Sequence, residues 1–208
     1  MKILLLASIF FALTLSGNAQ VSFGVNTGFN LPDVYTTEEV GPVPNTSIGF
    51  GYHLGGILEI AFTNYFFIQP GIMFTTKGFQ FDEGTHSQSV TCTLDYIEVP
   101  VNAMFKITSG TLKYLIYGGP YAAYGLAGIA AGASAISYTS TEQISFGKNG
   151  NELRPFDLGF NIGTGIEVNR IQYIVQFGLG LRNMSNSPGE TINNYVFGIS
   201  GIYLIGGR

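Results

Sequence analysis

Seven ionisable side chains fall in one phase of alternating sequence segments: Glu59, Lys77, Glu98, Lys106, Asp157, Glu167 and Arg182. Their same-phase neighbours are mostly glycine and amide residues. Carboxylates facing cations on one surface have two uses. They can pair as a structural network, because a charge taken out of water needs a partner. They can also line a narrow polar path. His53 shares this phase and stands six residues from Glu59, while His86 lies in a polar connection. Ester hydrolysis would need a serine, a histidine and an acid brought together. No serine stands beside either histidine in a recognisable motif, so the sequence is that of a non-enzyme. Two histidines and the single Cys92 do not make a transition-metal set. One cysteine excludes an internal disulfide, and no neighbouring base marks Cys92 as an activated thiol. The acidic pairs Glu38-Glu39 and Asp82-Glu83 match no calcium-loop spacing. Neither a metal nor a cofactor is expected.

The segments that carry these charges have a period of two, the mark of a strand whose successive side chains point to opposite faces. The clearest case is the hairpin from Phe156 to Leu181. Phe156, Leu158, Phe160, Ile162, Thr164, Ile166 and Val168 share one face, and Asp157, Gly159, Asn161, Gly163, Gly165 and Glu167 share the other. Asn169 and Arg170 make the turn. Tyr173, Val175, Phe177, Leu179 and Leu181 then oppose Gln172, Gln176, Gly178, Gly180 and Arg182. A soluble sheet buries its apolar face against a second layer. Here the polar face offers almost nothing from which to build an apolar core, so the apolar face must meet lipid. That arrangement is a transmembrane β-barrel. A soluble lipocalin-like barrel would need an apolar interior instead.

Eight such strands can be counted. They are expected at residues 21–29, 48–60, 65–77, 94–106 (with a bulge near Asp95-Tyr96), 113–126, 156–168, 172–182 and 195–205. No outward position on them carries a charge, as a bilayer would impose: a lipid-facing Lys or Arg at mid-depth costs roughly 2–4 kcal/mol. An even number of antiparallel strands closes without an edge in lipid. Short turns follow strands two, four and six, and long connections follow one, three, five and seven. By the usual asymmetry the short turns are periplasmic and the long loops external. Tyr65, Phe66, Phe105, Tyr114, Tyr173 and Tyr203 gather near the short-turn end as half of an aromatic girdle.

The N-terminus begins Met1-Lys2, followed by an apolar run from Ile3 to Leu15 and then Ser16-Gly17-Asn18-Ala19. This is the pattern of a secretory signal peptide over residues 1–19, cleaved after Ala19. Residues 20–208 then form one barrel domain. The net charge of −4 argues against nucleic acid as a partner.

The run Leu94-Asp95-Tyr96-Ile97-Glu98-Val99-Pro100-Val101 is similar to the "YLEIPL" strand of a known family. Tyr117-Gly118-Gly119-Pro120-Tyr121 and the run from Asp157 to Glu167 are similar to it as well. Together they resemble the PorT-type small outer-membrane β-barrel proteins common in Bacteroidetes, over the whole chain from residue 20 onward. The resemblance implies an eight-stranded barrel in the cell outer membrane, with lipid, lipopolysaccharide and the outer-membrane insertion machinery as its partners. It also implies an association with secretion-system components. Such barrels often end on an aromatic residue, whereas this chain ends Leu204-Ile205-Gly206-Gly207-Arg208. The function expected is a non-enzymatic membrane anchor or binding platform. The alternative is a narrow polar channel for small solutes or ions.

Overall fold

The computed structural model describes residues 20–38, 46–83, 88–133, 139–147 and 152–206. The proposed signal peptide, His86 and Glu39 lie outside them. The ten strands among the described residues are β1 (Val21–Glu38), β2 (Thr46–Ile48), β3 (Gly51–Ala61), β4 (Phe66–Glu83), β5 (Gln88–Ser109), β6 (Leu112–Ala133), β7 (Thr139–Ile144), β8 (Phe156–Val168), β9 (Ile171–Gly180) and β10 (Glu190–Ile205). Eight of them close an antiparallel ring in the order β1, β3, β4, β5, β6, β8, β9, β10. The ring closes between the first and last strands, from Phe23↔Ile205 to Glu38↔Glu190. The protein is therefore an all-β, eight-stranded antiparallel barrel. β2 pairs with the upper part of β4 and β7 with the upper part of β6, so both decorate the long-loop end.

Alternation decides which side chains face out. Phe23, Val25, Phe29, Leu54, Ile72, Val101, Ile116, Phe160, Ile162, Val175, Phe177 and Ile199 are all exposed apolar residues on the outer wall. At the short-turn end Tyr65, Phe105, Tyr114, Tyr173 and Tyr203 are exposed too, and the Phe66 and Phe105 rings lie 4.9 Å apart. The β8–β9 turn places Asn169 and Arg170 at φ 50° and 85°. Both central residues then have positive φ, as a two-residue primed hairpin turn requires.

Three features differ from the sequence reading. The strands run well past the expected ends: β1 continues through Leu31 to Glu38, β4 through Gly78 to Glu83, and β6 to Ala133. Main-chain pairing persists there, but the alternation is interrupted, by Pro32-Asp33 on β1, by Gly78 on β4 and by the extra residue Leu126 on β6. Next, the irregularity at Asp95/Tyr96 is present, but the extra residue sits across the ladder. Tyr96 pairs with Gly125 and Asp95 with Ala127, leaving Leu126 unopposed on β6. Finally, the interior is not purely polar. Ile57, Met73, Met104, Leu115, Tyr117, Ile174, Ile202 and Leu204 form one buried cluster. Val34, Leu94, Tyr96, Tyr121, Ala123 and Met184 form a second. Single apolar residues scattered among glycines and amides on separate strands show no period of their own. Only closure of the ring brings them together.

Candidate functional site

Six of the seven charges meet inside the barrel, in two groups. The lower group lies near the short turns. Lys106 Nζ sits 2.6 Å from Glu59 Oε1 and 2.5 Å from Glu167 Oε2. Lys113 reaches Glu167 Oε1 at 2.6 Å. Gln69 and Gln172 donate to Glu59 Oε2 at 2.6 and 2.8 Å, and Gln172 also donates to Glu167 Oε2 at 3.0 Å. The Phe67 ring faces Lys106 Nζ at 4.5 Å. Two ammonium groups thus balance two carboxylates, and the amides satisfy the remaining lone pairs. Sequence reasoning missed Lys113, which lies one residue inside β6 and next to the turn.

The upper group centres on Lys77, whose Nζ lies 2.9 Å from Glu98 and 3.3 Å from Asp157 Oδ2. The same ammonium faces the rings of Tyr121 and Tyr96 at 4.3 and 5.3 Å. Tyr121 and Asn194 donate to Asp157 Oδ2 at 3.2 and 3.4 Å, and Asn161 donates to Glu98 at 3.3 Å.

Arg182 is a correction. β9 ends at Gly180, and beyond it alternation no longer dictates direction. Arg182 is exposed, with its guanidinium 5.2 Å from the outward Phe156 ring. It takes no part in the lumenal network.

His53 is inward and buried, but it does not meet Glu59. Its Nδ1 lies 2.8 Å from Asn30 Oδ1 and its Nε2 lies 2.8 Å from Ser200 Oγ. Asn30 Nδ2 faces three acceptors: Thr75 Oγ1, Thr76 O and Tyr52 O. That fixes the amide, so Asn30 Oδ1 is the acceptor and His53 carries its proton on Nδ1. Ser200 then donates to Nε2. This is the order of groups that activates a serine nucleophile, assembled from β1, β3 and β10 with no linear motif. Ser200 is 3% exposed and His53 4% exposed, which keeps an acyl substrate away. The trio therefore acts as a polar staple across the seam where the ring closes. Gly28 makes room for it, because a Cβ there would collide with the His53 ring and with Ile199 O.

The lumen is obstructed from both ends. At the short-turn end a vestibule of about 280 Å³ is bordered by Glu59, Phe67, Lys113, Glu167, Arg170 and Leu204. Above it stand the Lys106 clamp and the first apolar cluster. A separate cavity of about 50 Å³, bordered by Asn26, His53, Lys77, Glu98, Asn102 and Gln176, occupies mid-lumen. At the long-loop end Phe146, Leu153 and Ile144 pack on the second apolar cluster. Phe146 meets Tyr96 edge-on at 5.6 Å. Asn186 ties these loops together by donating to Gly147 O and Glu152 O and accepting from Arg154 Nε. Ile144, Phe146 and Leu153 of the long connection after β6 thus fold into the mouth, a placement the sequence left open. Cys92 is a buried free thiol on β5. Among the described residues, His, Cys, Asp and Glu gather into no group of three that could hold a metal.

The family model for the outer membrane protein beta-barrel domain matches residues 16–186 of the chain. Solved structures with a similar fold include Ail, the attachment invasion locus protein of Yersinia pestis, in complex with the heparin analogue sucrose octasulfate. It is 13% identical, with a TM-score of 0.39 over 88% of this chain and 99% of that one. OprG from Pseudomonas aeruginosa is 8% identical, with a TM-score of 0.47 over 91% and 98%. Neisserial surface protein A is 8% identical, with a TM-score of 0.44 over 88% and 97%. No curated protein matches the chain.

Proposed function

The chain belongs to the outer membrane protein beta-barrel domain family and is a protein of the outer membrane, and from that premise we propose that it is a closed, non-enzymatic barrel that anchors a binding surface. The observation that carries this reading is the double obstruction of its lumen: the Lys106 clamp below, and Phe146 with Met184 above. A barrel of eight strands has an interior just wide enough for side chains, and here side chains fill most of it. Binding then falls to the ends, and the more elaborate end is the one with long connections, where β2, β7 and the loop bridges lie. By the length asymmetry of outer-membrane barrels that end is external, and both chain termini are periplasmic. Residues 1–19 serve as the cleaved signal peptide in this reading. Lipid and lipopolysaccharide surround the wall, and the insertion machinery delivers it. A part in protein secretion rests on the sequence resemblance alone.

The test is electrical. Refolded protein shown to be inserted in a planar bilayer gives no discrete conductance steps. Regular steps in the wild-type protein would overturn the closed-barrel reading in favour of the narrow channel, with Glu98 and Lys77 as pore lining.

A further inference from the structure

The short-turn mouth of the lumen carries one more cation than its ion pairs use. Lys106 and Lys113 balance Glu59 and Glu167 there. Arg170 borders the same vestibule and is exposed. Among the described residues its guanidinium has no hydrogen bond or ion pair. Arg170 is also an unusual occupant of its place. It is the second central residue of the β8–β9 turn, at φ 85°. Primed two-residue turns favour glycine there, because a side chain is strained at positive φ. A side chain kept under such strain points to a use. That use is not the turn itself. The bond that ties the turn to β10 runs from Leu204 N to Arg170 O at 2.8 Å, and any residue at position 170 supplies that oxygen.

Lys113 stands on the neighbouring strand, opposite Glu167. Its Nζ bonds Glu167 Oε1 at 2.6 Å and its side chain is 45% exposed, so an ammonium with three N–H donors keeps some of them for a ligand. The vestibule measures about 280 Å³, more than the roughly 150 Å³ that suffices for benzene. A guanidinium and an ammonium on one vestibule select an oxyanion. Its charge follows from the other residues of the site. Glu59 and Glu167 border the vestibule too, so a dianion meets repulsion, whereas a monoanionic carboxylate cancels the single surplus charge. Phe67, half-buried in the same wall, offers an apolar surface to the rest of such a ligand.

We propose that the vestibule at the short-turn end binds a small organic carboxylate, its oxygens held by Arg170 and Lys113 and its apolar part laid on Phe67. That this end meets the periplasm rests on the orientation proposed above. The binding is read without it, so conductance steps in the bilayer test and a failure to bind the carboxylate are separate results.

The test titrates the full refolded barrel, ¹⁵N-labelled and in dodecyl maltoside, with N-acetyl-leucine or with N-acetyl-leucinamide, which has the same body without the charge. The acid shifts the amide signals of Lys113, Glu167 and Arg170 saturably. The neutral amide binds roughly tenfold more weakly or worse, the loss expected for one charge-assisted hydrogen bond. Arg182 is the internal control, an exposed arginine that borders neither cavity, and its signal stays in place. Arg170→Asn, a residue that tolerates positive φ, weakens the acid by roughly tenfold and does not lower the melting midpoint. The acid–amide comparison needs only the wild type, so it decides even should the variant fail to fold. No saturable shift, or equal binding of acid and amide, would overturn the proposal. So would a shift at Arg182 as large as that at Arg170, or undiminished acid binding by Arg170→Asn. Inorganic phosphate binding more tightly than the acid would overturn the carboxylate assignment.

Discussion

The Phe146 ring stands edge-on to the Tyr96 ring at 5.6 Å, which joins a residue of the longest connection to a wholly buried side chain of the barrel wall. Tyr96 in turn donates to Met184 Sδ at 3.3 Å. Phe146 after β7 and Met184 after β9 are thereby packed on one lumenal tyrosine. Edge-to-face aromatic contact adds about 0.5–1.5 kcal/mol beyond the area buried. Phe146→Ala is expected to lower the urea midpoint and to make residues 144–154 more sensitive to added protease, while the clamp below keeps the protein silent in a planar bilayer.

Lys106 is the residue whose loss is felt most. Removing one partner of a buried ion pair leaves an uncompensated charge, at a cost of about 3–5 kcal/mol. Lys106→Met strands Glu59, and only Lys113, with its side chain 45% exposed, remains beside Glu167. Adding Glu59→Gln and Glu167→Gln should restore much of the loss, because neutral amides can bond to Gln69 and Gln172. Equilibrium urea unfolding in lipid vesicles measures both. A triple variant no better than Lys106→Met would contradict the pairing.

Arg182 supplies the contrasting case. It is exposed, and its guanidinium faces the outer ring of Phe156, a cation–π contact of about 0.5–1 kcal/mol at such a site. Arg182→Ala should shift the same unfolding curve by no more than that and leave Lys77 and Lys106 undisturbed.

For the Ser200–His53–Asn30 trio, burial predicts chemical silence. A serine-reactive fluorophosphonate should leave Ser200 unlabelled in the folded barrel, even though its hydroxyl is aligned on His53 Nε2. Ser200→Ala should cost about 1 kcal/mol, the worth of one internal hydrogen bond. Labelling at Ser200 that vanishes in His53→Ala would instead mark the trio as a working nucleophile.

The outer wall can be checked by depth. Ile162 lies mid-strand on β8, opposite Phe177, and is 52% exposed. Ile162→Lys should cost roughly 2–4 kcal/mol in lipid vesicles. Asn161, one residue away, faces Glu98, and Asn161→Lys should be tolerated better there than Ile162→Lys.

The sequence by itself determined the wall. A period of two with lipid-compatible residues on one face gives the strands, their eight-fold number, the direction of the side chains within them (Arg182, past the end of β9, is the exception) and the short-turn end, because a bilayer punishes every outward charge independently of its neighbours. It therefore placed Glu59, Lys77, Glu98, Lys106, Asp157 and Glu167 inside. Tertiary structure alone decided who meets whom. Lys106 reaches Glu59 and Glu167 across the barrel, His53 finds Ser200 at a separation of 147 residues, and Phe146 folds back onto Tyr96. These contacts depend on strand tilt, register and closure, which fix the relative height of facing side chains and leave no periodic mark on any one strand. At residues 31–38 and 78–83 the strands continue on main-chain pairing and on lumenal contacts such as those of Val34 and Phe79, and there Pro32-Asp33 and Gly78 interrupt the alternation that marks the rest of each strand.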